Sequence, residues 1–221
     1  MMYSLAIQNN YNEVQFALMK DTTQITYDSI SKLKASIELV SRLNNMLTSQ
    51  NIALTDLSYI AANCGPGPFT TLRVVITTVN GIAYATGTPL IGINGLQAAA
   101  HEWKNESYPT TAILFNAFGN DVYTLVIKQN EQLLYGVYSI ETILEQLNNE
   151  PETIRFLGNG TTLHKELIMN TLGSKASIPD SIPAYCSLKA IADMGYEQWE
   201  SKKSGTSELM PVYLKQHPAV R

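Results

Sequence analysis

The chain has little cysteine, only Cys64 and Cys186 in 221 residues. A secreted protein of this size would more often carry several disulfide pairs, so a reducing compartment is expected, and with it a soluble cytoplasmic protein. Neither thiol sits in a C-x-x-C pair or at ligand spacing from a histidine, and both are read as structural. Charge is sparse too, at 15% of residues, with a formal net charge of −4. No run of Lys and Arg with interleaved aromatics occurs, which removes the electrostatic basis for binding RNA or DNA unaided. Histidine is limited to His101, His164 and His217. None has a second histidine four residues away, so a helical H-x-x-x-H metal pair is excluded and no metal is expected. No stretch reaches the ~20 apolar residues of a membrane span. The opening Met1-Met2-Tyr3-Ser4 has neither the basic nor the long apolar region of a leader.

Against these absences stands one dense segment, Asn63-Cys64-Gly65-Pro66-Gly67-Pro68-Phe69-Thr70-Thr71-Leu72-Arg73. Glycine alternating with proline after the apolar run 57–62 predicts a rigid turn, Gly65 to Pro68, between a buried strand and the next element. The turn holds no catalytic side chain, so its expected part is to shape the backbone. A P-loop would need a lysine beside Ser or Thr after its glycines, and two prolines remove N–H donors that a phosphate cradle would use. Gly158-Asn159-Gly160, between an apolar strand and a helix, is a second possible phosphate contact; a tight connecting turn is the simpler reading. Asp121 and Glu141 read as ordinary turn and helix-start residues.

Periodicity predicts the elements. Residues 3–8, 13–19 and 23–27 run apolar or alternate between turn-rich breaks, as three antiparallel strands would. A helix is expected over 31–50 with Ser31 as N-cap and Leu33, Ile37, Val40, Leu43 and Leu47 as its apolar stripe. Strands follow at 57–63 and 89–93, and a helix at 95–103. The order then recurs: strands at 111–116, 121–128 and 133–138, a helix at 139–147, a strand at 153–157, and helices at 161–172 and 187–200. Two βββαβα lobes are expected, 1–105 and 106–221, the organisation of the actin, sugar-kinase and Hsp70 type of fold.

Residues 69–85 set propensity against periodicity. Val74-Val75-Ile76-Thr77-Thr78-Val79 is β-branched and would favour a strand. Yet Phe69, Leu72, Ile76, Val79 and Ala83 step by three and four, as do Thr71, Val75, Thr78, Ile82 and Ala85, leaving Arg73, Thr77, Asn80 and Tyr84 on a narrow polar side. The spacing predicts a helix apolar around most of its circumference, and such helices are covered on more than one side. Arg73, the only Asp, Glu, Lys or Arg between Asp56 and Glu102, suits either an internal pair or a contact across a helix interface.

Gly65-Pro66-Gly67-Pro68-Phe69-Thr70-Thr71-Leu72-Arg73 resembles the G-P-G-S-F-T-G-L-R signature of the bacterial TsaB (YeaZ) family. The flanks agree: Leu54-Thr55-Asp56-Leu57 before it, Thr88-Pro89-Leu90-Ile91-Gly92-Ile93 after it, and Pro211-Val212-Tyr213-Leu214-Lys215 against the family's closing P-V-Y-L-R. The resemblance is dense before residue 100 and sparse after it, and its closing match implies a C-terminal tail that returns toward the first lobe. It implies an α/β protein of the actin-like ATPase (ASKHA, ribonuclease H-like) fold with a degenerate active site. It further implies a non-catalytic subunit, without cofactor, of the complex that forms threonylcarbamoyladenosine in tRNA. In that complex TsaD holds the metal and transfers the group, a TsaE ATPase completes the assembly, and tRNA is reached only through the complex. The family pairs with TsaD through helices of the first half and forms a homodimer on an overlapping face when alone. The implied contact set is Leu39, Leu43, Met46, Phe69, Thr70, Thr71, Arg73, Val74, Val75, Thr78 and Ile82.

The departures point one way. Gln8-Asn9-Asn10 stands where the family has D-T-S or D-T-A, removing a hard anionic ligand. Asn116-Ala117-Phe118 replaces D-A-R, Lys34-Ala35-Ser36 lacks the usual histidine, and Pro68 and Thr71 replace the signature's serine and second-turn glycine. Thr71 adds bulk where glycine would let another backbone come close. An ATP-dependent transferase or metallopeptidase-like enzyme of the same fold, and an independent homodimer with no part in tRNA modification, stay open as alternatives.

Overall fold

Strand hairpins build the first sheet. In the computed structural model, which describes residues 2–215 and so leaves His217 outside the described residues, β1 (Tyr3–Asn9), β2 (Glu13–Lys20) and β3 (Thr23–Ser31) run antiparallel. The chain then passes through α1 (Ala35–Ser49) to β4 (Leu57–Asn63), and through α2 (Phe69–Thr86) to β5 (Leu90–Ile93). Both later strands lie parallel to their neighbours, giving the order β3-β2-β1-β4-β5. After α3 (Gly95–Glu102), the pattern repeats in β6 (Thr110–Asn116), β7 (Asp121–Lys128), β8 (Glu131–Ser139), α4 (Ile140–Leu147) and β9 (Ile154–Leu157). Two short helices, α5 (Asn159–Leu163) and α6 (Lys165–Leu172), lead to β10 (Ala176–Ser177), and α7 (Leu188–Lys202) follows. The second sheet reads β10-β9-β6-β7-β8, the first order repeated. The duplicated α/β fold expected from the sequence is present.

The period of two in each strand decides which helix covers which face. Leu5 and Ile7 of β1, with Phe16 and Leu18 of β2 and Ile60 of β4, pack under the apolar sides of α1 and α2. Ala6, Ala17 and Met19 point the other way and meet Leu188 and Ala192 of α7. Gly195 sits where α7 comes closest to β4: a Cβ there would lie 2.4 Å from that of Ala61. Beside it Trp199 stacks on Tyr59 with ring centroids 5.2 Å apart. Among the described residues the compact units are accordingly 2–98 with Ser187–Val212, and Ala99–Cys186 with 213–215. The last long helix, reckoned from element order into the 106–221 half, is a layer of the first unit because its small residues fit that sheet's second face. Past it, Thr206 pairs with Leu90 in a single antiparallel bridge, and the Asn80 side chain clamps the backbone N–H and C=O of Leu209, each at 2.9 Å.

Three local expectations need correction. Helix α1 starts at Ala35 with Lys34 at its N-cap, because Ser31 is still the end of β3. Its buried line is Ala35, Leu39, Leu43, Met46 and Leu47, so Leu33, Ile37 and Val40 face solvent instead of the core. The helix expected over 161–172 is broken at His164, which ends α5 and caps α6. In α2 periodicity prevails over β-branched propensity, since Thr71, Leu72, Val75, Ile76, Val79, Ile82 and Ala83 are all buried. No helix among the described residues is long and apolar enough to cross a membrane.

Candidate functional site

The glycine–proline turn is fixed from three sides. Cys64 N–H donates to the Ile93 carbonyl at 2.8 Å, and the Cys64 carbonyl accepts from Val212 N–H at 2.7 Å. Gly65 N–H donates to Asn63 Oδ1 at 2.8 Å, and the Gly65 carbonyl accepts from Gly95 N–H at the same distance. Gly65 has φ +104°, and a Cβ on it would come within 3.0 Å of Leu72 and 3.1 Å of the Val212 carbonyl, so only glycine fits. The Gly65–Pro66 peptide is cis. Pro68 takes the N-cap of α2 in an extended conformation and makes no side-chain cap bond. The family's serine at this place would offer a hydroxyl acceptor to the first helical N–H groups, which proline cannot.

The turn aims α2, and α2 lies beside α1 on one face of the first sheet. Of the residues read as contacts, Leu39, Leu43, Met46, Thr71, Val75 and Ile82 are buried within the chain's own core or against it. Phe69, Val74 and Thr78 are half-buried, while Thr70 and Arg73 are exposed. The solvent side of the pair carries three residues that the sequence placed in the apolar stripe of α1, together with Tyr84, which it placed on the polar side of α2. Leu33 and Ile37 are each 81% exposed, Val40 63%, and Tyr84 94%. One signal marked them: the spacing 33-37-40 runs out at Asn44, whereas 35-39-43-46 continues to the helix end.

The ends of β1 and β6, set above against the family's acidic motifs, bear amides held mostly by bonds within the chain. Gln8 and Asn9 are buried; Gln8 Nε2 donates to Gln15 Oε1 at 2.7 Å, and Gln15 Nε2 to Glu13 Oε1 at 2.8 Å. Asn10 Oδ1 accepts from the backbone of Asn12 and Glu13. Asn9 Oδ1 is buried without a hydrogen-bond partner among the described residues. In the second unit Asn116 Oδ1 accepts from Phe118 N–H at 2.7 Å. Lys215, from the closing motif, fills that turn: it pairs with Asp121 at 2.7 Å and donates to the Ala117 carbonyl at 2.8 Å.

The Gly158-Asn159-Gly160 corner is a close-packing device. A Cβ on Gly158 would lie 2.2 Å from the Leu114 carbonyl oxygen, and one on Gly160 2.8 Å from it. The N–H groups of Gly158 and Asn159 already donate to the carbonyls of Pro183 and Ala184. Among the described residues no three of His, Cys, Asp and Glu gather as a metal-ligand cluster. Burial pushes the Cys64 thiol up to about 11 and the Cys186 thiol up to about 12, so both stay protonated and poorly nucleophilic at neutral pH.

Comparison with known proteins defines first a class. An uncharacterized protein from Pseudomonas aeruginosa with similarity to peptidase YEAZ superposes with TM-score 0.74 at 21% identity, covering 97% of this chain and 100% of that one. YeaZ from the same organism gives TM-score 0.71 at 22% identity with the same coverage. The ethanolamine utilization protein EutJ from Carboxydothermus hydrogenoformans shares the fold at TM-score 0.51 and 11% identity, over 86% of this chain and 89% of that one. With the repeated sheets, these make the chain an α/β protein of the actin-like ATPase fold. The family model described as "TsaD: tRNA N6-adenosine threonylcarbamoyltransferase" matches residues 30–203. The tRNA threonylcarbamoyladenosine biosynthesis protein TsaB of Bacillus subtilis is 27% identical over 217 residues, 96% of this chain and 93% of its own length. The protein of that name from Escherichia coli is 24% identical over 232 residues, 97% of this chain and 95% of its own length. The chain belongs to this family and, within it, to the TsaB (YeaZ) group.

Proposed function

We propose that this chain is a non-catalytic subunit of the machinery that forms threonylcarbamoyladenosine in tRNA, and that the solvent side of α1 and α2 docks a TsaD-type catalytic subunit. The observation that carries the reading is the bare apolar row of Ile37 and Val40 on α1 with Leu33 in the turn just before it, and Tyr84 fully presented on α2. Large aliphatic side chains left in water on a well-formed helix mark an interaction surface. Burying each stabilises a complex by roughly 1.5–3 kcal/mol before the costs of association. Gly81 supports the same reading. It is exposed in the middle of α2 and a Cβ there would meet nothing within 4 Å, so the isolated chain supplies no packing reason for glycine. A backbone approaching from a partner does.

Thr70, Arg73, Val74 and Thr78 remain as flanking contacts on this face, with the half-buried Phe69 at its edge. Leu39, Leu43, Met46, Thr71, Val75 and Ile82 act from beneath, by holding the two helices in place. The chain contributes no acid, base, nucleophile or metal ligand. It acts by binding the competent state of the catalytic subunit better than other states. A TsaE-type ATPase joins the same assembly, tRNA is met only there, and without a partner the apolar row closes against a second copy. The test is reconstitution with the TsaD-type subunit of the same organism, reading threonylcarbamoyladenosine formed on tRNA. Wild-type protein is expected to raise the rate and Ile37→Glu with Val40→Glu to remove that effect; equal rates with and without the chain sink the proposal.

A further inference from the structure

A groove of about 730 Å³ runs between α2 and the strap 206–210 that follows α7. The strap is fixed before anything binds. Thr206 exchanges backbone hydrogen bonds with Leu90 at 2.8 and 2.9 Å, and its Oγ1 donates to the Glu208 carbonyl at 2.9 Å. From α2, Asn80 holds the backbone of Leu209, whose side chain is buried in the core beneath. With Leu209 turned inward, its neighbours Glu208 and Met210 face solvent. A wall framed in this way loses little freedom when the groove is filled.

The lining narrows to two groups. Gly81 has no side chain and Ala83 is buried, while the Asn80 amide is committed to the strap. Thr77 and Ser207 bring hydroxyls to the rim. What remains is one ring and one carboxylate. Tyr84 is 94% exposed, and its ring meets no other ring or cation among the described residues. Glu208 is exposed too, and no cation pairs with its carboxylate among the described residues. Arg73, the only charged residue of α2, lies three turns before Tyr84, about 16 Å along the axis. Lys203, which precedes the strap, is paired with Glu200.

A guanidinium satisfies both groups at once. Its flat face stacks on an open aromatic ring, and its fork of N–H donors meets a carboxylate in two parallel bonds. An ammonium brings a point charge without the plane. A phosphate would meet the one ionised group of the groove with the same sign, which disfavours nucleic acid here. Arginine is also enriched at protein interfaces, and the bare backbone at Gly81 lets a partner come close enough to deliver it. Resting on the docking proposed above, we infer that this groove receives an arginine side chain of the catalytic subunit seated on α1 and α2.

The test is calorimetric titration of the TsaD-type subunit of the same organism into the wild-type chain and its groove variants. Glu208→Gln and Tyr84→Ala are each expected to weaken binding about tenfold. Tyr84→Phe, which keeps the ring face, should bind as wild type does. All three should keep the melting temperature, since both side chains stand in solvent. Glu208→Gln should also flatten the fall of affinity with salt. One arginine of the partner should prove coupled to Glu208: replacing it with alanine weakens the wild-type complex but not the Glu208→Gln complex. Unchanged affinity in Glu208→Gln overturns the inference, as does weakening by Tyr84→Ala with no partner arginine coupled to Glu208. If Ile37→Glu with Val40→Glu dissolves the complex while the groove variants leave it intact, the docking stands and the arginine contact falls. If the wild-type chain binds no TsaD-type subunit, both fall.

Discussion

At the scale of single residues, Gly65 carries the most constraint. Its φ of +104° and the 3.0–3.1 Å approach of Leu72 and Val212 leave no room for a methyl group. Gly65→Ala is expected to cost roughly 2–4 kcal/mol, from left-handed backbone strain and overpacking together, and to show as a lower melting temperature. That the turn is rigid was legible from alternating glycine and proline. The closing motif implied a tail that returns toward the first half; that Val212 N–H is the group that closes this turn was not legible, because a long-range backbone hydrogen bond leaves no local pattern. His164 gives a second test. Burial lowers its pKa, with Glu141 pulling weakly the other way, and its Nε2 is buried without a partner among the described residues. The unfolded chain therefore takes up this proton first. The stability it contributes is present above the ordinary histidine value of about 6.5 and is lost as pH falls below it. Replacing His164 with Gln should flatten that part of the stability–pH curve; an unchanged slope would remove the assignment.

At the scale of elements, α1 shows what periodicity reveals and what it hides. Two stripes three and four residues apart overlap on this helix. Leu33, Ile37 and Val40 look as apolar as Leu39, Leu43 and Met46, and sequence alone merged parts of both into one core face. Only the sheet beneath, through Leu5, Ile7 and Phe16, decides which stripe it covers. The two stripes now predict opposite outcomes. Val75→Glu places a carboxylate at a site with no exposure and should destabilise the chain by more than about 4 kcal/mol. Ile37→Glu, on the open row, should leave the melting temperature nearly unchanged while weakening partner binding. Gly81→Ala should raise the stability of the chain alone by about 1 kcal/mol and weaken the complex. If chemical denaturation shows Ile37→Glu as damaging as Val75→Glu, the row belongs to the core.

At the scale of the whole molecule, the duplicated order of strands was legible because each half repeats three antiparallel strands before its first helix. The fifth strand of the second sheet, Ala176–Ser177, was not: two residues are too short for any period. Nor was the return of α7 to the first sheet, which depends on Gly195 meeting Ala61 rather than on chain order. The same scale holds the central claim, that a chain with Gln8 and Asn116 at the ends of its two first strands works through a docking face. Light scattering on a size-exclusion column tests it most directly, with this protein and the TsaD-type subunit of its own organism run alone and mixed. The account predicts a one-to-one complex that Ile37→Glu with Val40→Glu dissolves while both proteins stay folded. A mixture that elutes as two separate species, or a complex indifferent to those changes, would contradict it.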